Sequence, residues 1–554
     1  MTRRIFWVLF MAFLLFAQLG FAQSLVIDNN ARVGLERITP NLIESHIELL
    51  SDDLFEGRAP ATRGDRLAMQ YIAAQFLRIG LQPGYTGSFF QPVPIVGMTG
   101  DASMMLRASR NDAVIEFKFY DEFVGYSGIQ EPIVSLDAEV VFVGYGIVAP
   151  EQKWNDYKDF DVRGKVLLMM NNDPAGDDPN FFGGKARLYY GRWTYKYEIA
   201  AAKGAAGAII IHTPESAGYG WNVVQSSWSR ERFSLADSPE AGLPIKAWLT
   251  EQSTKRLLQL SGHDLAALQQ MAQRRDFTPV PLGVRISTTI QSEIRHLETA
   301  NVLGLLRGSD STLREEAVIF TAHHDHLGIG KTVNGDSVYN GALDNASGVG
   351  ALLAVAEAFA ALPERPKRTL LFMTVGAEEQ GLLGSQYYSE HPTIPPGRIA
   401  ANVNIDVLNV FGLTKDIIMI GKGRSTIDQI VEKAAKLLNL VVKPDQFPEQ
   451  GFFYRSDQLN FARIGVPTAY FDQGLDFVGK PVGYGRQLVE TYIEKNYHQP
   501  SDEVQPDWDY RGAEQQTDFN FLIGYFTANQ QEMPRWNPGD EFEAARNKAL
   551  RETK

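Results

Sequence analysis

Five residues of types that ligate zinc follow one another through the second half of the chain: His323, Asp344, Glu379, Asp406 and His498. Glu378 stands directly before the third of them, where a carboxylate serves as a general base. Five groups do not surround two separate four-coordinate ions. If one carboxylate bridges, however, each ion receives three protein groups and shares a water. Two zinc ions carry a charge of about +4 against about −3 from three ligand carboxylates, and the surplus acidifies water and polarises a carbonyl. One zinc with the same ligands would be left negative and a poor electrophile. The chemistry indicated is metal-assisted hydrolysis.

The neighbours of these residues extend the reading. In an extended segment Glu378 and Glu379 point opposite ways, so one holds metal while the other faces the water. Asp325 follows His323 by two positions and is expected to accept a hydrogen bond from that histidine's other ring nitrogen. Tyr497, directly before His498, is placed to donate to a developing oxyanion. His324 and His326 are read as structural. Phe452, Phe453 and Tyr454 fit either an apolar substrate pocket or the underside of a loop. The chain has no His-Glu-x-x-His, no Gly-x-Ser-x-Gly and no phosphate-cradling Gly-x-x-x-x-Gly-Lys.

The elements that must position these groups are legible from residue 299 onward. Apolar strand runs at 302–306, 317–321, 369–375, 401–405 and 467–471 alternate with helical spacing at 347–361, 381–390, 425–438 and 518–529. His323, the Glu378–Glu379 pair and Asp406 each fall at or just beyond the end of a strand, the edge where open α/β sheets build sites. The predicted fold class is α/β, a mixed, largely parallel sheet flanked by helices. Upstream, 41–50 and 63–79 have helical spacing. In the second, Leu67, Tyr71, Ile72, Phe76 and Ile79 are expected on one buried face, and Gly80 as the C-cap. The stretch 133–290 reads as an inserted β-rich domain without catalytic groups.

At this point the sequence resembles the co-catalytic dizinc aminopeptidases of metallopeptidase family twenty-eight. The likeness is carried by Ala322-His323-His324-Asp325-His326, by Gly341-Ala342-Leu343-Asp344-Asn345-Ala346-Ser347-Gly348 and by Gly376-Ala377-Glu378-Glu379-Gln380-Gly381. Asn404-Ile405-Asp406 and Tyr497-His498-Gln499-Pro500-Ser501-Asp502 complete it. The resemblance implies that His323 and Asp406 bind one zinc, Glu379 and His498 the other, and Asp344 both, across a cis Asp344–Asn345 peptide. Glu378 would be the base and acid, Asp325 would orient His323, Tyr497 would assist the oxyanion and Arg455 would contact substrate. Gln458 departs from the pattern, since many relatives have His there. Glu56-Gly57-Arg58 and the helix to Gly80 resemble the family's N-terminal region. Val143-Gly144-Tyr145-Gly146, Gly164-Lys165-Val166 and the run 203–208 resemble a protease-associated domain.

The expected organisation is a signal peptide (1–22), a discontinuous catalytic domain (23–132 and 291–535), the inserted domain (133–290) and a polar C-terminal tail (536–554). Arg3 and Arg4, the apolar run 5–19 and Gly20-Phe21-Ala22 give the first segment its leader character. The mature protein is expected to be exported, periplasmic or extracellular, with no stable membrane insertion. The formal net charge of −13 argues against nucleic acid as a partner. The absence of cysteine excludes thiolate zinc sites and a lipid anchor on an N-terminal cysteine. The expected cofactor is two zinc ions per chain, and the expected substrate a peptide with a free N-terminus. Alternatives are a carboxypeptidase, a glutaminyl cyclase or a non-catalytic receptor-like binding protein of the same fold. Oligomeric state and the preferred N-terminal residue are not read from the sequence.

Overall fold

The computed structural model describes residues 26–553 except 102, 175, 177, 179, 180, 185, 218, 219, 230 and 237–241. The expected leader, 1–22, lies outside the described residues. The strands that carry the ligands belong to one sheet. They are β1 (Phe90–Gly100), β2 (Val280–Leu306), β3 (Ala317–His323), β4 (Thr369–Val375), β5 (Ile399–Asn404), β6 (Asp416–Ile420), β7 (Val441–Pro444) and β8 (Thr468–Asp472). Their spatial order is β7-β6-β8-β5-β3-β4-β2-β1, with β8, β5, β3 and β4 mutually parallel. The sheet is mixed and largely parallel at its centre, as predicted.

Every residue of β3, β4 and β5 is buried, because helices cover both faces. Parallel strands of this kind read as unbroken apolar runs rather than alternating ones. Val318, Phe320, Leu370 and Phe372 face the core shared with α1 (Pro40–Leu50), α2 (Arg63–Ile79), α3 (Ser347–Ala360) and α4 (Arg511–Asn529). Ile319, Leu371 and Met373 face Tyr388 and Phe461 on the other side. The period of two divides each strand between two cores. Gly80 caps α2 in the left-handed region, as expected. Leu67, expected on the buried face of that helix, is instead exposed. The buried stripe is Ala68, Met69, Ile72, Ala73 and Phe76, whose small members let α2 lie close to its neighbours.

A second sheet is built around 133–142, 166–170, 207–212 and 245–250, four parallel strands in that order. It also takes the hairpin Met105–Arg110/Ala113–Lys118 and the strand Phe123–Tyr126. It has apolar cores on both faces, with Phe142, Leu168 and Ile209 on one and Val141, Leu167 and Ile210 on the other. The two sheets share β2. Its residues 280–291 pair with 133–142, and its residues 292–302 pair with β1. The second body also touches the loop that carries Arg455. Arg463 pairs with Glu198 at 3.2 Å, and the rings of Tyr189 and Tyr454 lie 6.3 Å apart. No helix among the described residues is long and apolar enough to cross a membrane. The final stretch contains a helix, Glu543–Glu552.

Candidate metal centre

Three adjacent parallel strands deliver the ligand-type residues to one edge. His323 is the last residue of β3 and pairs with Val375 at the end of β4. Thr321 pairs with Asn404 on β5, so His323 and Asp406 stand level, two residues further along each strand. His323 Nε2 lies 3.2 Å from Asp344 Oδ1 and 3.3 Å from Asp406 Oδ1. His498 Nε2 lies 3.2 Å from Asp344 Oδ2 and 3.2 Å from Glu379 Oε2. The two oxygens of Asp344 therefore face two different histidines. All five expected ligands come together.

These separations test whether the residues suit a metal pair. Ligand atoms about 2.0 Å from a tetrahedral ion stand about 3.3 Å apart. All four nitrogen–oxygen distances match that edge. The carboxylates also create a field that favours positive charge. Burial alone would depress the pKa of His323, but Glu378, Asp406 and the contact to Asp344 carry it well above the usual value. His498 is likewise raised to about 9 against the burial penalty, through Glu379 and Asp344. Asp344 is pulled well below the carboxylate range despite its burial, by the two histidines. The arrangement fits two divalent cations sharing one carboxylate.

The loop that carries Asp344 is fixed from several directions. Gly341 enters it at φ +56°, where an added Cβ would lie 2.5 Å from the His326 ring. The Asp344–Asn345 peptide is cis, as the resemblance implied. Asn345 Oδ1 accepts from Gly348 N and Val407 N, and its Nδ2 donates to Ile405 O, tying this loop to the end of β5 beside Asp406. The Asp502 carboxylate accepts the backbone N–H groups of Leu343 and Asp344 at 3.0 and 3.1 Å. Arg58, fully buried, donates to the carbonyls of Leu50, His324, Asn340 and Gly341. One guanidinium thus joins α1 to both metal-side loops.

The expectation for Asp325 needs correction. The group on His323 Nδ1 is the main-chain carbonyl of Asp325, at 3.1 Å, and not its carboxylate. The carboxylate accepts the backbone N–H groups of Glu378 and Glu379, at 3.0 and 3.3 Å. The i,i+2 same-side relation holds only while a strand continues. β3 ends at His323, so the relation no longer applies. Asp325 still serves the centre, by fixing the peptide that presents both glutamates.

Glu378 is half-buried, and burial together with the carboxylates of Glu379, Asp457 and Asp406 pushes its pKa well above the ordinary range, against the pull of His323. A carboxylate so placed is a strong proton acceptor. Tyr497 stacks on His498 with ring centroids 3.9 Å apart, and Arg455 is close enough to act on both residues electrostatically. Arg455 also lies over the Phe452 ring at 5.3 Å. Phe453 and Tyr454 are buried in a cluster with Trp536 and Phe542.

Several residues without an expected role surround the centre. Ser456 Oγ donates to Asp406 Oδ2 at 2.6 Å and accepts from Asn404 Nδ2 at 2.8 Å. Gln458, the departure from the family pattern, accepts from the same Asn404 amide and donates to Phe453 O. His324 points away, with Nε2 3.2 Å from Asp65 Oδ1, and is structural as predicted. His326 points inward. One group of clustered ligand-type residues is His323, Asp344 and Asp406, and the other is His326, Asp344 and Glu379. The run Ala322–His326 held the signal for this, but period alone does not tell which histidine turns inward once the strand has ended.

Residues 301–521 match the model of "Peptidase family M28". The mouse aminopeptidase NAALADL1 is 28% identical over 132 residues, 23% of this chain and 16% of that protein. The probable glutamate carboxypeptidase AMP1 of Arabidopsis thaliana is 26% identical over 321 residues, 50% of this chain and 42% of its own length. The matches thus span less than half the length of these curated relatives. Among solved structures, an aminopeptidase from Aneurinibacillus sp. strain AM-1 superposes with a TM-score of 0.50 at 19% identity, covering 91% of this chain and 97% of its own. That likeness speaks for the fold. Residues 301–521, which match peptidase family M28, hold two candidate metal-binding clusters that share Asp344.

Proposed function

We propose that this protein is an exported dizinc aminopeptidase that hydrolyses the first peptide bond of peptides with a free N-terminus. The observation that carries the reading is the pair of ligand clusters joined by Asp344, with Glu378 directly beside them. His323 and Asp406 would hold one zinc, Glu379 and His498 the other, and Asp344 both. When bound, the pair supplies a Lewis acid for the carbonyl and lowers the pKa of water.

The chain's own groups do the rest. Glu378 takes a proton from the attacking water and returns it to the leaving amine nitrogen. Tyr497 donates to the oxygen on which negative charge develops. Asp325 keeps the Glu378–Glu379 peptide in place, and Arg455 contacts substrate at the rim. The carboxylates of Glu378 and Asp406 receive the substrate's α-ammonium group. Residues 133–290 form a protease-associated domain beside the cleft, and residues 1–22 direct export and are removed.

The likeness to a probable glutamate carboxypeptidase, together with Arg455 near the centre, supports a second reading in which a substrate carboxylate is recognised. Assays of amino-acyl anilides and C-terminally free dipeptides, each with and without an N-terminal block, separate the two. Turnover of the free-amine substrates alone supports the aminopeptidase, and turnover of N-blocked dipeptides supports the alternative. Glu378→Gln should keep two zinc ions per chain while kcat falls by about 10²–10⁴-fold. Undiminished turnover in that variant would remove Glu378 from the mechanism.

A further inference from the structure

His326 is fully buried, and neither of its ring nitrogens has an aligned hydrogen-bond partner. Its Nδ1 lies 2.7 Å from Glu379 Oε1, off the axis of the ring N–H, as a close polar contact. The other oxygen of the same carboxylate, Oε2, is the one that faces His498. Two imidazoles thus take the two oxygens of Glu379, and their rings meet edge to face with centroids 5.7 Å apart. Gly341 has no side chain where the His326 ring sits, so the ring occupies a place built for it.

Distance separates a ligand from a group that positions one. The four histidine–carboxylate pairs assigned to the metals stand 3.2–3.3 Å apart. His326 and Glu379 are closer by half an ångström, at 2.7 Å. An ion about 2.0 Å from both atoms would have to accept an angle of about 85° in place of the tetrahedral 109°. A direct imidazole–carboxylate contact needs no ion at that point and so places no such demand on coordination geometry.

We propose that His326 is a positioning residue for the second metal, holding Glu379 Oε1 so that Oε2 is presented to the ion. The inference rests on the dizinc reading above. Groups that orient a metal ligand in this way govern metal affinity, typically by about 10–100-fold.

The test uses the full chain with His326→Phe, which fills the volume without a donor, and His326→Gln, which restores an N–H. Zinc affinity is measured by chelator competition, and the environment of bound zinc by X-ray absorption at saturating zinc. In His326→Phe one of the two zinc ions should weaken by about 10–100-fold while the other is unmoved. His326→Gln should recover most of that loss. Both variants at saturation should keep two zinc ions and the parental number of imidazoles per zinc. Unchanged affinity in His326→Phe overturns the proposal, since the ring would then only pack. A drop in imidazole count, or occupancy fixed at one zinc, also overturns it, because His326 would then be a ligand. If the parent chain itself fails to bind two zinc ions, the dizinc reading falls instead. Should His326→Phe not fold, His326→Gln and His326→Asn are compared, and equal, parental affinities in both count against the proposal.

Discussion

The carboxylate of Asp406 has a partner on each oxygen, His323 on Oδ1 and Ser456 on Oδ2. The serine hydroxyl is 2.6 Å away and is itself held by Asn404, so it limits rotation of the carboxylate. On the dizinc proposal, Ser456→Ala should weaken binding of the ion assigned to His323 and Asp406 by about 10-fold or more, with little effect on the second ion. Site-resolved zinc titration checks this, and equal loss at both sites would mean that the hydroxyl acts on the whole centre. Gln458 lies one step behind, on the same Asn404. There the chain departs from the family pattern, and the residue present still closes a hydrogen-bonded chain from the sheet to the metal side.

At the scale of elements, Arg58 and His46 connect the N-terminal helices to the site. Burial lowers the pKa of Arg58 to about 10, opposed by Asp325, Asp502, Asp344 and Glu379, so it remains charged at neutral pH. Arg58→Met leaves four carbonyls without their donor and should cost about 3 kcal/mol or more in stability, read by denaturant unfolding. It should also loosen metal binding, because three of those carbonyls, of His324, Asn340 and Gly341, lie in the segments beside His323 and Asp344. His46 on α1 meets the Tyr71 hydroxyl of α2 at 2.7 Å, and burial, then Arg78, lowers its pKa to about 4. The folded protein keeps this histidine neutral where the unfolded chain takes up a proton. Its contribution is fully present above about pH 6.5 and is lost as pH falls through about 4. The loss amounts to about 3 kcal/mol. His46→Gln should therefore flatten the stability curve between pH 6.5 and 4 relative to the parent, and parallel curves would exclude His46 as the source.

At the scale of the whole molecule, β2 is the member common to both sheets, and the second body reaches the site region through contacts such as Arg463–Glu198 and Tyr189–Tyr454. These contacts bear on the loop that holds Arg455. Tyr189→Ala should raise KM a few-fold with kcat and zinc content nearly unchanged, since an aromatic pair of this kind is worth about 0.5–1.5 kcal/mol. Steady-state kinetics beside zinc analysis decides it, and a fall in kcat at constant KM would place the second body's influence on the chemistry itself. The continuity of β2 was not legible. Its outer part alternates, its middle (291–298) is mostly polar and largely exposed, and only 299–304 forms an unbroken buried run. Only that last stretch, buried on both faces, gives the apolar run by which a central strand is recognised.

The amino-acid sequence alone determined the ligand types, their order and their place just beyond apolar strand ends. A parallel sheet covered on both faces writes its strands as unbroken apolar runs, and the sharp ends of those runs mark the edge where the site lies. Tertiary structure alone decided which atoms face which. It set the Asp325 carboxylate on two backbone amides, turned His326 towards Glu379 and His324 away, and gave Arg58 its four carbonyls. Those choices depend on the direction the chain takes after each strand ends, and on separations of a few tenths of an ångström between groups dozens to hundreds of residues apart. Packing fixes such distances, and periodicity carries no record of them.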